Sequence, residues 1–368
     1  MKYNELFVFL SGLEEKIKKM LKQEEIISLL KPYEINESVT SYLHRSAKRL
    51  RPAVFLMACG CLDKEVPIDT MLPVAFGIEL FHTWTLVHDD IIDNDSLRRG
   101  GLTVHKNMEQ WSLKKLGLND KEAKEYGMDI AILAGDMQQA WAINFFVDFA
   151  SKNTEYTKVI LKLISLLETE VISELIYGEV LDVKYSYVYK DIEKFLSIDE
   201  SEIVNMLWLK TGVLYRFSAL AGASLALKTD NFKEPSIVAL SEFASKCGIA
   251  FQLQDDILGI VGTEDILGKP VGSDIREGKK TTILLEALKN ANTEEKDIIC
   301  KIVGNKHATD GEIQLVTKLL DELGGIEYTK KLAQKYILEA LPYLKNIENS
   351  EYKTLLIQWA DFMYDREF

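Results

Sequence analysis

Two acidic clusters interrupt stretches that are otherwise strongly apolar. The first closes the run HTWTLVHDDIIDNDSLRRG from His82 to Gly100, and the second lies in GIAFQLQDDILGI, at Asp255 and Asp256. Successive helical residues turn by about 100°, so Asp89 and Asp93 stand nearly above one another on one face, with Asp90 offset. Like charges stacked in this way repel unless they reach solvent at a helix end or are bridged by cations. Carboxylate oxygens so arranged suit Mg²⁺ that keeps some of its waters. An acidic helix end in solvent has the same local pattern, and the first cluster by itself leaves both readings open.

The second cluster shifts the balance. If two acid-ended apolar helices face each other across a bundle, their carboxylates form walls that can hold several Mg²⁺ ions with a diphosphate between them. Basic residues gather in three places: Lys48, Arg49 and Arg51 in AKRLRP, Arg98 and Arg99 after the first cluster, and Lys269, Lys279 and Lys280 after the second. Arginine offers a planar fork and lysine a mobile point charge to phosphate oxygens, although any one set would also serve as solvated surface. Jointly they point to metal-bridged diphosphate chemistry, with apolar walls sheltering a hydrocarbon or a carbocation from water.

Helices must position these groups. The chain has 368 residues, 47% of them hydrophobic, and only 21 Gly and 7 Pro, in long apolar-periodic stretches with short connections. That pattern predicts an all-α protein. Leu6, Leu10, Leu13, Ile17 and Leu21 mark an amphipathic helix within 3–30, and helical pattern resumes after Pro52. Further helices are predicted over 70–95, 124–148, 156–186, 200–227, 234–261, 281–291, 311–321 and 328–346. Polar connections are expected at Arg98–Gly101 and from Gly262 to Lys280. With no internal repeat or domain-dividing linker, residues 1–368 read as a single domain.

A net charge of -13 argues against nucleic acid or an anionic membrane as a partner. The N-terminal MKYNELFVFLSGLEEKIKKM reads as neither signal peptide nor membrane span. Cys59, Cys61, Cys247 and Cys300 are too few and too scattered for a disulfide framework or a four-thiolate zinc site. They are expected to be buried thiols in a reducing compartment, which makes the protein cytoplasmic.

The segments AKRLRP, IELFHTWTLVHDDIIDNDSLRRGGLTVH, AILAGDMQQA, the KTG at Lys210–Gly212, AFQLQDDILGI and LGKPVGSDIREGKKTT are spread along most of the chain, from Ala47 to Thr282. In order and spacing they resemble the trans-isoprenyl diphosphate synthases, the family of farnesyl and geranylgeranyl diphosphate synthases. The resemblance implies an all-α bundle around a deep central cavity, normally a homodimer. It also implies head-to-tail condensation of isopentenyl diphosphate with dimethylallyl, geranyl or farnesyl diphosphate. By the same resemblance Asp89 and Asp93, with Asp90 supporting, bind two Mg²⁺, and Asp255, with Asp256 nearby, holds a third. Arg98, Lys210, Gln252, Lys269 and Lys279 match the allylic diphosphate site. Lys48, Arg51, His82 and Arg99 match the isopentenyl diphosphate site, with Arg49 a weaker match; without the resemblance, His82 reads as a core histidine.

Lys210 and Thr211, on a helix expected to break at Gly212, resemble the pair that faces the carbocation. Metals and cationic side chains stabilise the departing diphosphate, which then takes the final proton. Two departures stand out: Gly259 where many members carry a third Asp, and Glu179 where Gln is commoner. Product length in this family follows the bulk just before the first motif, here Trp84 and Thr85. An indole at that place implies geranylgeranyl diphosphate, as in archaeal-type synthases, with farnesyl diphosphate the runner-up; plain core packing would also account for Trp84. A terpene cyclase, which needs no isopentenyl site, and a non-catalytic partner subunit, which usually loses its aspartates, are the remaining alternatives.

Overall fold

The computed structural model describes residues 3–23, 27, 29–188, 191–262 and 272–364. They are helical nearly throughout, and among them the strands are two short pieces, Leu97–Arg98 and Gly101–Leu102. The all-α expectation holds. The chain forms two compact units, one of residues 1–164 and 221–231, the other of residues 165–220 and 232–368.

The first unit is organised by the Ile68–Ile92 helix, whose residues are buried on almost every face from Met71 to Asp90. Its main partner is the Asp120–Lys152 helix, on which Val104–Lys115 and Tyr33–His44 also pack. Asn119 starts that long helix by accepting from the amide of Glu122, whose side chain bonds back to Asn119. Close approach of the two long helices depends on absent side chains. A Cβ at Gly77 would lie 2.8 Å from Phe146 Cε2, and one at Gly135 would lie 2.2 Å from His88 Nε2. Ile68–Ile92 is long and apolar enough to cross a membrane, but 72% of its most apolar window is buried inside the fold, as in a core helix.

The second unit centres on Pro235–Val261, which starts with proline at its first position and packs on Gly325–Ala340 and Glu351–Tyr364. Ile172–Val188 packs on the stretch Trp208–Gly212. That stretch was expected to break at Gly212. It is instead a π-type turn: the amide of Val213 bonds to the carbonyl of Trp208, and the chain continues directly into Val213–Ala226. One extra residue in the turn widens the helix without ending it.

Among the described residues, six further α-helices lie outside the predicted segments: Tyr33–His44, Val104–Lys115, Thr293–Ile302, Glu351–Tyr364 and two of five residues each, Ile192–Leu196 and Ser273–Glu277, the latter inside the stretch expected to be a connection. Val104–Lys115 buries only Val104, His105, Met108 and Ser112, too narrow a stripe to stand out by period. Three cysteines are buried as expected, but Cys300 is exposed on Thr293–Ile302. The inward stripe of that helix is carried by Ile299 and Ile302, which leaves the intervening side chains to solvent.

Candidate active site

The first acidic cluster occupies the C-terminal end of Ile68–Ile92, and Asp93 is the capping residue. Its three aspartates differ in surroundings. Asp89 is partly exposed, whereas Asp90 is fully buried, accepting the Tyr42 hydroxyl on one oxygen and the Arg98 guanidinium on the other. The same Tyr42 oxygen accepts the amide of Val104 at 3.1 Å. Burial raises Asp90 to about 6 against the opposing pull of Arg98 and Tyr42. Asp90 therefore braces the helix end from inside. Arg98 spans the cluster, with Nη2 3.1 Å from Asp95 and 3.5 Å from Asp89.

The Arg98–Gly101 connection is a tight hairpin in which Leu97 pairs with Leu102 and Arg98 with Gly101. Its two turn residues, Arg99 at φ 53° and Gly100 at φ 72°, both take the left-handed region that such turns require. Arginine is uncommon there, and Arg99 is held by bonds to the Tyr42 carbonyl at 2.9 Å and to Glu79 at 3.0 Å. Arg45 clamps the hairpin through the carbonyls of Arg98 and Leu102, both at 2.7 Å.

Glu79 is the hub of this basic region. Only 1% of its side chain is exposed, and it pairs with both Arg99 and the fully buried Arg49. Arg49 also donates to the carbonyls of Leu43 at 2.8 Å and Arg45 at 2.9 Å, so its charge is spent inside the fold. Arg51 donates to His82 Nε2 at 2.9 Å. Burial, then the charges of Arg51 and Arg99, hold His82 well below the ordinary histidine range, and a neutral ring is what leaves Nε2 able to accept. Lys48 is exposed beside them. Trp84 is buried, edge-on to Phe81 with centroids 5.1 Å apart and to His88 at 5.9 Å. The Thr85 hydroxyl bonds back to the His82 carbonyl at 2.8 Å.

In the second unit, Lys210 lies on the widened turn between two carboxylates, Asp182 at 2.7 Å and Glu179 at 3.0 Å. Gly178 permits this approach, since a Cβ there would stand 2.5 Å from the Lys210 amide nitrogen. Thr211 donates to Gln252 Oε1 at 2.8 Å, and Gln252 Nε2 reaches Asp256 Oδ1 at 3.3 Å. Asp256 is 5% exposed. Burial, then the charges of Asp274 and Asp255, push its carboxyl up to about 8. Lys279 lies 3.5 Å from both Asp274 and Glu277. Lys269 lies outside the described residues.

Among the described residues, no group of three or more His, Cys, Asp or Glu side chains is drawn together as a closed metal site. Mg²⁺ does not require one, because it is commonly held by one or two carboxylates with substrate phosphates and water completing the shell. The donors at both clusters are oxygens, and the buried Asp256 Oδ2 has no hydrogen-bond partner among the described residues. A hard cation fits both features. Glu79, Tyr42, Arg45 and Asp182 were not singled out in the sequence. Glu79 carried a signal, as a lone acid three residues before His82 in an apolar helix.

The polyprenyl synthetase family model matches residues 32–320. The chain is 34% identical to a geranylgeranyl diphosphate synthase of Methanosarcina mazei over 94% of both proteins. It is 35% identical to a short chain isoprenyl diphosphate synthase of Methanocaldococcus jannaschii, over 88% of this chain and 86% of that one. A geranylgeranyl pyrophosphate synthase of Corynebacterium glutamicum, solved with isoprenyl diphosphate and magnesium, superposes with a TM-score of 0.83 at 27% identity, covering 98% of this chain and 99% of that one. The chain belongs to the polyprenyl synthetase family and is a prenyltransferase.

Proposed function

We propose that this prenyltransferase condenses isopentenyl diphosphate head-to-tail with dimethylallyl, geranyl and farnesyl diphosphates, in a Mg²⁺-dependent reaction, to give geranylgeranyl diphosphate. The observation that carries the reading is the pair of all-oxygen acidic helix ends, Asp89/Asp93 and Asp255/Asp256, in a chain so similar to such synthases over its length. Asp89 and Asp93 would hold two Mg²⁺ and Asp255 with Asp256 a third, Asp90 acting as the brace. Bound Mg²⁺ offsets the negative charge that grows on the departing diphosphate.

The chain's own groups do the rest. Arg98, Lys210, Gln252, Lys269 and Lys279 bind the allylic diphosphate, and Thr211 presents its hydroxyl oxygen to the allylic carbocation. Lys48, Arg51, His82 and Arg99 bind isopentenyl diphosphate, with Glu79 fixing Arg99. Trp84, fifth before Asp89 and wedged between Phe81 and His88, stops the growing chain.

Residues 1–368 act as a single catalytic domain, a reading supported by a family match that runs through both compact units. The enzyme is a homodimer. Supporting this, Asp120–Lys152 leaves Ile132, Leu133, Met137 and Val147 exposed, and Ile172–Val188 leaves Ile176, Tyr177 and Val180 exposed. Its four cysteines, none of them in a disulfide among the described residues, accord with the cytoplasm.

The test is incubation with Mg²⁺, labelled isopentenyl diphosphate and each allylic primer in turn, with chain lengths read after dephosphorylation. A twenty-carbon alcohol is expected. Fifteen carbons would keep the reaction and overturn the product assignment, and no elongation by folded protein would sink the reading.

A further inference from the structure

The second acidic cluster is one carboxylate short in sequence, with Gly259 four residues after Asp255. Residues four apart share a helix face, so a side chain at 259 would project beside that of Asp255. That space is already taken. A Cβ built on Gly259 would stand 2.1 Å from Oδ2 and 2.8 Å from Cγ of Asp274, on the Ser273–Glu277 turn. Only 13% of the Asp274 side chain is exposed. Its Oδ1 accepts the Ser273 hydroxyl at 3.4 Å and lies 3.5 Å from Lys279 Nζ. The turn is bracketed by Gly272 at φ 74° and Gly278 at φ 72°, and the Lys279 amide bonds to the Asp274 carbonyl at 3.1 Å, so backbone geometry fixes its direction.

Asp256 completes the picture. It is 5% exposed, the largest charge acting on it is that of Asp274, and its Oδ2 is buried without a hydrogen-bond partner among the described residues. Clustered buried carboxylates are costly unless cations offset them. Lys279 supplies one positive charge, shared between Asp274 and Glu277, against the carboxyls of Asp255, Asp256 and Asp274.

We propose that Asp274 supplies the third carboxylate of the second cation-binding cluster, from a different helix and in the space that Gly259 leaves open, with a divalent cation carrying a diphosphate as its ligand. The proposal rests on the prenyltransferase reading of this site. It makes Gly259 and Asp274 a matched pair in this chain: with Asp274 where it lies, a side chain at 259 has to displace its carboxylate.

Four proteins test this: the parent chain, Asp274→Asn, Gly259→Asp, and Gly259→Asp combined with Asp274→Gly. Each is melted in chelator, then with inorganic diphosphate under increasing Mg²⁺, and the Mg²⁺ dependence of turnover is measured separately. Asp274→Asn is nearly isosteric and keeps its melting temperature in chelator. Its Mg²⁺-diphosphate stabilisation shrinks, and the Mg²⁺ needed for half-maximal response rises about tenfold or more. Gly259→Asp alone is impaired by collision with Asp274, and the double variant, with the carboxylate moved across, recovers most of the Mg²⁺ response. An Asp274→Asn protein that titrates like the parent, or a double variant no better than Gly259→Asp, overturns the proposal. If the parent makes no prenyl product yet shows the Asp274-dependent Mg²⁺ response, the carboxylate assignment stands and the prenyltransferase reading falls; elongation by the parent with a silent Asp274→Asn means the reverse.

Discussion

Replacing Glu79 by glutamine removes the negative charge that two arginines share inside the first unit. Arg49 has no exposed side-chain surface, and Arg99 lies 3.0 Å from Glu79 with 12% exposed. At that separation, and at an effective dielectric near 20, the Arg99 attraction alone is about 5 kcal/mol before desolvation. Desolvation cancels much of the gain from making such a triad. It does not soften the cost of breaking it, because Arg49 stays buried with the neutral carbonyls of Tyr42, Leu43 and Arg45 in place of a carboxylate. The expected loss is about 3–5 kcal/mol, the range for removing one partner of a buried ion pair. In a unit of this size that lowers the melting temperature by about 6–20 °C.

The loss also has a pH signature. Burial pushes Glu79 up, but the charges of Arg49 and Arg99 outweigh it and hold the carboxyl below its ordinary 4.5. Between the folded and unfolded values the unfolded chain binds more protons, so the triad's contribution is complete above the unfolded value and fades as pH falls through the folded one. Urea titrations of parent and Glu79→Gln from pH 7 down to about 3 should therefore converge in acid. A further variant, Glu79→Leu with Arg49→Met, should recover part of the loss by removing the fully buried pair, with Arg99 left to the Tyr42 carbonyl and to solvent. A Glu79→Gln protein within about 1 kcal/mol of the parent at pH 7, or a gap that ignores pH, would refute the reasoning.

Three other outcomes follow from single contacts. Gly135→Ala should cost about 1–3 kcal/mol by overpacking against His88 Nε2, and should weaken Mg²⁺ binding at the neighbouring Asp89; thermal melts with and without Mg²⁺ check both effects. Trp84→Ala should cost about 3–5 kcal/mol as a core cavity and lengthen the prenyl product, and an unchanged product would reduce Trp84 to packing. Glu179→Gln removes one of the two carboxylates on Lys210 while keeping the shape; it should lower KM for the allylic diphosphate a few-fold with a smaller change in kcat, and equal changes in both would count against it.

Most helices were legible because burial on one face repeats every three or four residues, and both acidic clusters were legible because spacing within a helix sets which carboxylates share a face. These are local relations, carried by neighbours along the chain. Arg49 shows where they stop. In sequence it is one of three cations in AKRLRP able to meet a phosphate, the weaker match of the three, and packing against Glu79, thirty residues away, spends its charge internally while Lys48 stays exposed. The same holds for Asp90, which helical spacing sets off the Asp89/Asp93 face but whose burial is decided only when Tyr42 and Arg98 close over it.

By itself, then, the sequence determined an all-α fold, the family resemblance that makes the chain a prenyltransferase, and the helices that carry the acidic residues proposed for its site. Tertiary structure alone decided which of them brace and which remain open: the hairpin that turns Arg99 onto Glu79, the widened turn that sets Lys210 between Glu179 and Asp182, and the Asp274 carboxylate lying over Gly259. The reason is physical. A charge's partner is chosen by which distant surfaces pack together, and that choice leaves no periodic trace in the neighbouring residues.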